Sequence, residues 1–137
     1  MIIDTYQKYS LISHRKDIGN NFKSKLPDEW KEYYYPTFIP DNFELITAEE
    51  FGNSKYLTFE NNLDQYIKII QSSMNFESQI DTEGATIIEI DVNGNEGMLI
   101  EKDNRLILIW NNDERIFRIQ NNLDRNTILK IANNLEK

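Results

Sequence analysis

Polar and apolar residues alternate along much of the second half of the chain. In Thr86–Val92, Ile88, Ile90 and Val92 share one side, while Ile87, Glu89 and Asp91 share the other. Successive strand side chains point to opposite faces, so this segment predicts a strand with one wet face. Arg115–Gln120 behaves alike, with Phe117 and Ile119 opposed to Ile116 and Arg118. In Asp64–Gln71, Gln65, Ile67, Ile69 and Gln71 oppose Tyr66, Lys68 and Ile70. Leu106–Trp110 is apolar on both faces, which suits a strand at the centre of a sheet. Phe43–Ala48 and Lys55–Asn61 read as further strands around a loop holding Gly52-Asn53.

The residues between these runs supply turns. A type I′ hairpin needs positive φ at both central positions, and Asn93-Gly94 meets that need at low steric cost. Asp103-Asn104 and Asn111-Asn112-Asp113 tolerate the same left-handed backbone, as do residues of Asn61-Asn62-Leu63-Asp64. Pro40-Asp41-Asn42 predicts a turn before the first strand, and Ser72–Glu83 a loop leaving the sheet.

Helical spacing shows at the two ends. Ile128, Ile131, Ala132 and Leu135 follow i, i+3, i+4, i+7, and Asp124 is a good N-cap ahead of them. That helix should lie on the sheet, so a chain ending at Asn122 is expected to be insoluble. Pro27 suits a first helical position, Asp28 and Glu29 suit a first turn, and Pro36 ends the run, predicting a helix over residues 27–34. Ile18 and Phe22 lie a turn apart within Asp17–Lys25, although Gly19 weakens a helix there. Ile2, Tyr6 and Tyr9 fit a helical stripe over residues 1–16, while Ile3, Thr5, Gln7 and Tyr9 equally suit an edge strand. The helical reading is adopted. The fold class is therefore α+β: an antiparallel meander of about six to seven strands packed against a C-terminal helix, with a helical N-terminal segment. One face should lie under the helix and the other partly under the N-terminal third.

A length of 137 residues suits one domain. The formal net charge of −8 argues against nucleic acid and against an anionic membrane surface, both of which want a basic face. There is no cysteine, which removes disulfides and thiolate metal sites. No apolar run approaches the ~20 residues of a membrane span.

Candidate chemistry is sparse. His14 is the only histidine and lies beside Arg15 and Lys16, so no imidazole pair can hold a metal. Asp91–Gly97 looks in part like a calcium loop, but Glu96 and Lys102 stand where that pattern wants glycine and glutamate. Glu49-Glu50 and the Asp81/Glu83 pair read as solvated loop carboxylates, and the glycines are too scattered to cradle phosphate. No catalytic residue, cofactor or metal ligand is predicted. The densest unusual feature is aromatic: Trp30, Tyr33, Tyr34 and Tyr35, with Phe38 close by. Such a group either closes one end of a core or forms a contact surface, so those four are the candidate partner-contact residues.

The order of these motifs carries a resemblance. Leu26-Pro-Asp-Glu-Trp30 and Tyr33-Tyr-Tyr-Pro36 precede Pro40-Asp-Asn-Phe43. Asp64-Gln-Tyr-Ile-Lys-Ile-Ile-Gln71, Val92-Asn-Gly-Asn-Glu-Gly97, the run ending in Trp110 and Ile128–Leu135 follow. In this order the chain resembles the DUF4367 family of bacteria over about residues 30–136; Asn42 stands where that family often has glycine. The resemblance implies a domain held outside the cytoplasm by a membrane span that this chain lacks, in proteins some of which look like anti-sigma factors. Residues 1–35 would be the helical, juxtamembrane-like segment and 36–137 the core. The implied function is a non-enzymatic extracytoplasmic sensor or protein-interaction domain of a membrane-anchored regulatory protein, with a protein as partner. The alternative is a small carrier holding an apolar ligand or lipid between sheet and helix.

Overall fold

The computed structural model describes residues 6–10 by backbone alone, and residues 33–73 and 82–137 in full. In chain order the elements are β1 (Tyr6–Ser10), β2 (Tyr35–Pro36), β3 (Glu44–Phe51), β4 (Ser54–Glu60) and β5 (Tyr66–Ser73). Then come β6 (Thr86–Val92), β7 (Asn95–Lys102), β8 (Arg105–Asn111), β9 (Arg115–Asn121), α1 (Arg125–Ala132) and β10 (Leu135–Glu136).

The turns close as their residues require. Asn93 and Gly94 both take positive φ, 51° and 87°, and Asp103 and Asn104 do the same at 51° and 63°. Each makes the primed turn whose twist matches its strands. Side chains finish the looser connections. Asn61 Oδ1 accepts from the backbone N–H of Leu63 and Gln65, and Asn112 Oδ1 accepts from those of Glu114 and Arg115. The Pro40–Asn42 turn is closed by the Phe43 N–H donating to the Pro40 carbonyl.

The main sheet is antiparallel, in the order β1-β3-β4-β5-β9-β8-β7-β6. Strands β3 to β9 supply seven of its members, and β1 adds an eighth at the β3 edge. β3, β4 and β5 run as neighbours; the chain then crosses to the far edge, and β6 to β9 run back until β9 pairs with β5. A second, two-stranded ribbon joins β10 to β2.

Register aligns the apolar positions into rows. Ala48, Leu57, Ile69, Ile119, Leu108, Leu99 and Ile88 stand side by side across the inner face. Leu45, Phe59 and Ile67 continue the next row to one side; Phe117 and Trp110 do so on the other. α1 lays Ile128, Ile131 and Ala132 on this face, all buried. Burying two such isoleucines contributes about 1.5–3 kcal/mol each. Asp124 caps the helix, accepting from the Thr127 N–H at 2.8 Å. The segment 33–43 covers the rest of the same face with Tyr35, Ile39 and Phe43.

Several expectations change. Tyr6–Ser10 is a strand, so the helix expected over residues 1–16 is corrected there. The open backbone of β3 offers a full row of hydrogen bonds, which a thin apolar stripe does not outweigh. Of the helix expected over 27–34, Tyr33 and Tyr34 are described and are not helical; residues 27–32, and the helix expected within 17–25, lie outside the described residues. The chain at 33–43 shares the face used by α1 instead of covering the opposite one. The loop expected between β3 and β4 shrinks to Gly52-Asn53, because both strands run further. β8 is interior but lies toward one side of the sheet, with β7 and β6 beyond it. Its outward Ile107 is buried beside Ile100 of β7, which accounts for the unbroken apolar run.

Candidate interaction surface

Of the aromatic residues singled out from sequence, Tyr33, Tyr34 and Tyr35 are brought to one corner of the inner face. Tyr35 is buried, Tyr33 and Tyr34 are half-buried, and Trp30 lies outside the described residues. Gln71 holds Tyr34 as a strand would: the Tyr34 N–H donates to Gln71 Oε1 at 3.0 Å, and Gln71 Nε2 donates to the Tyr34 carbonyl at 2.7 Å. The alternation of β5 points Gln71 inward, and no water competes at its 3% exposure. The Tyr34 ring meets Phe117 edge-on at 5.1 Å, and Phe117 stacks on Trp110 at 5.0 Å. The Arg115 guanidinium lies 3.8 Å from the Tyr33 ring centre, and Lys55 Nζ lies 4.5 Å from it. Lys55 also pairs with Glu50.

Beyond the ring, the Tyr34 hydroxyl donates to Glu114 Oε1 at 2.6 Å and accepts from Asn112 Nδ2 at 3.1 Å. Lys137 Nζ donates to Glu114 Oε2 at 2.6 Å. The bond from Lys137, with that from Tyr34, holds the Glu114 carboxyl below the usual carboxylate range. Glu114 in turn raises the pKa values of Lys137 and of the Tyr34 hydroxyl. Burial pushes the Tyr35 hydroxyl up as well. At neutral pH these phenols stay protonated, so neither tyrosine is prepared as a nucleophile or base.

The outer face of β6, β7 and β8 is different. Ile87, Ile100 and Ile107 stand in one cross-strand row, and Glu89, Met98 and Ile109 in the next. Asp91 and Glu96 face each other beyond them, at the hairpin end. Ile87 is 49% exposed and Met98 43%. An open groove of about 540 Å³ runs here past Glu89, Asp91, Glu96, Met98 and Ile109. Asp91 Oδ2 accepts from the Gly94 N–H, which ties that carboxylate to its own turn. Among the described residues no group of three or more His, Cys, Asp or Glu is placed to hold a metal ion. Glu49 and Glu50 point to opposite faces of β3; His14 and Asp81 lie outside the described residues.

Sequence reasoning missed this outer patch as a site. The signal was present, since Ile87 interrupts the polar side of its strand and Met98 the polar side of the next. Which strands neighbour one another decides whether such residues gather, and alternation does not carry that information.

A family model described as a domain of unknown function, DUF4367, matches residues 33–135. No curated protein and no solved structure gives a match to the chain.

Proposed function

The chain belongs to the DUF4367 family, and on that premise we propose that it is a non-enzymatic sensor or protein-interaction domain, carried outside the cytoplasm by a membrane-anchored regulatory protein. The observation that supports this most is the outer face just described. Ile87 and Met98 are half open to solvent in adjacent cross-strand rows, Ile87 beside Ile100 and Met98 between Glu89 and Ile109, with Asp91 and Glu96 beyond them. Apolar patches rimmed by polar groups mark contact surfaces more often than reaction centres. The inner face favours this reading over a carrier of lipid. Ile128 and Ile131 of α1 have no exposure, nor do Leu108 and Ile119 of the sheet face on which the helix lies. No described helix is long and apolar enough to cross a membrane, so the anchor in this proposal is a span outside this chain.

The test places a photoreactive residue at Met98, or at Leu63 on the β4–β5 turn, in the protein expressed in its own host. Discrete protein adducts from position 98 and none from position 63 are expected. Identical adduct patterns from both positions, or no adduct at all, would remove the interaction reading. Protease treatment of intact cells tests the location, with digestion of the domain expected.

A further inference from the structure

β6 ends the main sheet, and nothing among the described residues pairs with its far side. The two-residue turn at Asn93-Gly94 fixes which backbone groups are left over. Residues flanking such a turn form a hydrogen-bonded pair, and bonded and non-bonded pairs then alternate. Val92 with Asn95, Ile90 with Gly97 and Ile88 with Leu99 are therefore bonded pairs. Ile87, Glu89 and Asp91 turn their N–H and C=O groups away from β7. These groups have no hydrogen-bond partner among the described residues beyond the sheet's own pairing.

The backbone protections of an exposed edge are absent from β6, and its charged guards are Glu89 and Asp91 alone. Thr86–Val92 contains no proline and no lysine, and its register with β7 is continuous, without a bulge. Its side chains are graded across the two faces. Ile88 and Ile90 on the inner side are half-buried against the core; Glu89 and Asp91 on the outer side are exposed. In the register of greatest overlap, a second copy of the strand is a poor occupant. Antiparallel pairing centred on Glu89 sets Glu89 against its twin and Ile87 against Asp91, and like charges directly opposite destabilise a sheet. The −8 charge of the whole chain adds to that repulsion.

We infer that the β6 edge receives an extended, basic segment of a partner protein as a further strand, with Lys or Arg placed opposite Glu89 and Asp91 and β-branched residues beside Ile88 and Ile90. This rests on the interaction reading above and gives it a partner chemistry. Backbone hydrogen bonds from Ile87, Glu89 and Asp91 give affinity, and the alternating side chains give selection. The carboxylates then serve twice: they repel copies of the chain and attract the basic strand.

The experiment uses the full chain and a labelled synthetic peptide of alternating Lys and Val, titrated by fluorescence anisotropy. Glu89→Pro removes an outward N–H while leaving the bonds to β7, the one arrangement in which an edge strand tolerates proline. It is expected to weaken binding by about tenfold or more, and Glu89→Gln by only a few-fold with a shallower salt dependence. A peptide of alternating Glu and Val should not bind. To keep the test independent of how Glu89→Pro folds, the Lys-Val peptide is also N-methylated at alternate residues and titrated against the unaltered protein. Loss of binding for one methylation phase and not the other is expected. Equal binding of both phases, or of the acidic peptide, overturns the edge proposal. If adducts at position 98 persist in that case, the interaction reading stands and only the edge falls.

Discussion

Gln71 shows how one side chain can stand in for a strand. Its amide bonds both Tyr34 backbone groups, so shortening it leaves a half-buried donor and acceptor without the partner they have in the fold. Gln71→Ala is expected to lower stability by about 1–3 kcal/mol in urea unfolding. Gly97 has a different constraint, set by closeness. A Cβ there would lie 3.1 Å from the Ile109 carbonyl oxygen and 3.2 Å from Trp110 Cβ. Gly97→Ala should cost about 1–3 kcal/mol, with the loss seen as a lower melting temperature. The pair Glu114–Lys137 makes a prediction about pH. The carboxyl is depressed in the fold, so its contribution is present above the ordinary carboxylate value and fades as pH falls through the folded one. The ammonium is raised, so its contribution is present below the ordinary lysine value and fades as pH climbs through the folded one. The melting-temperature difference between the native chain and Glu114→Gln should therefore be greatest near neutrality and vanish in strong acid.

Among the elements, legibility tracked how local the cause was. Asn93-Gly94 and Asp103-Asn104 carry their own reason for turning, and β6 has the expected faces. α1 was equally readable from its cap and stripe. Asp124→Ala is expected to cost about 1 kcal/mol at neutral pH, measured by chemical denaturation. The bonds from Thr127 keep the Asp124 carboxyl below its ordinary value, so that cost should shrink on acidification. Elements whose reason lies elsewhere in the chain were not readable. β2 and β10 are too short to show any period, and only their pairing makes them strands. At Tyr6–Ser10 the sequence satisfied two periods at once, and the free side of β3 decided between them.

At the scale of the whole molecule, strand order was the hidden quantity. Alternation says which side chains share a face but not which strand lies next to which. The placement of β6 at the outside, and with it the gathering of Ile87, Met98 and Ile109, therefore emerged only from the fold. The aromatic segment was visible as a cluster at once. Its use was not, because Tyr33, Tyr34 and Tyr35 meet partners as remote as Gln71, Arg115, Phe117 and Lys137.

The return path of the meander has a consequence for the nascent chain. β3, β4 and β5 leave the ribosome as a group, yet the neighbour that β5 needs is β9, which begins at Arg115. Throughout the synthesis of everything between them, the flank of β5 is an unfinished seam, available to any passing strand until the last stitch arrives.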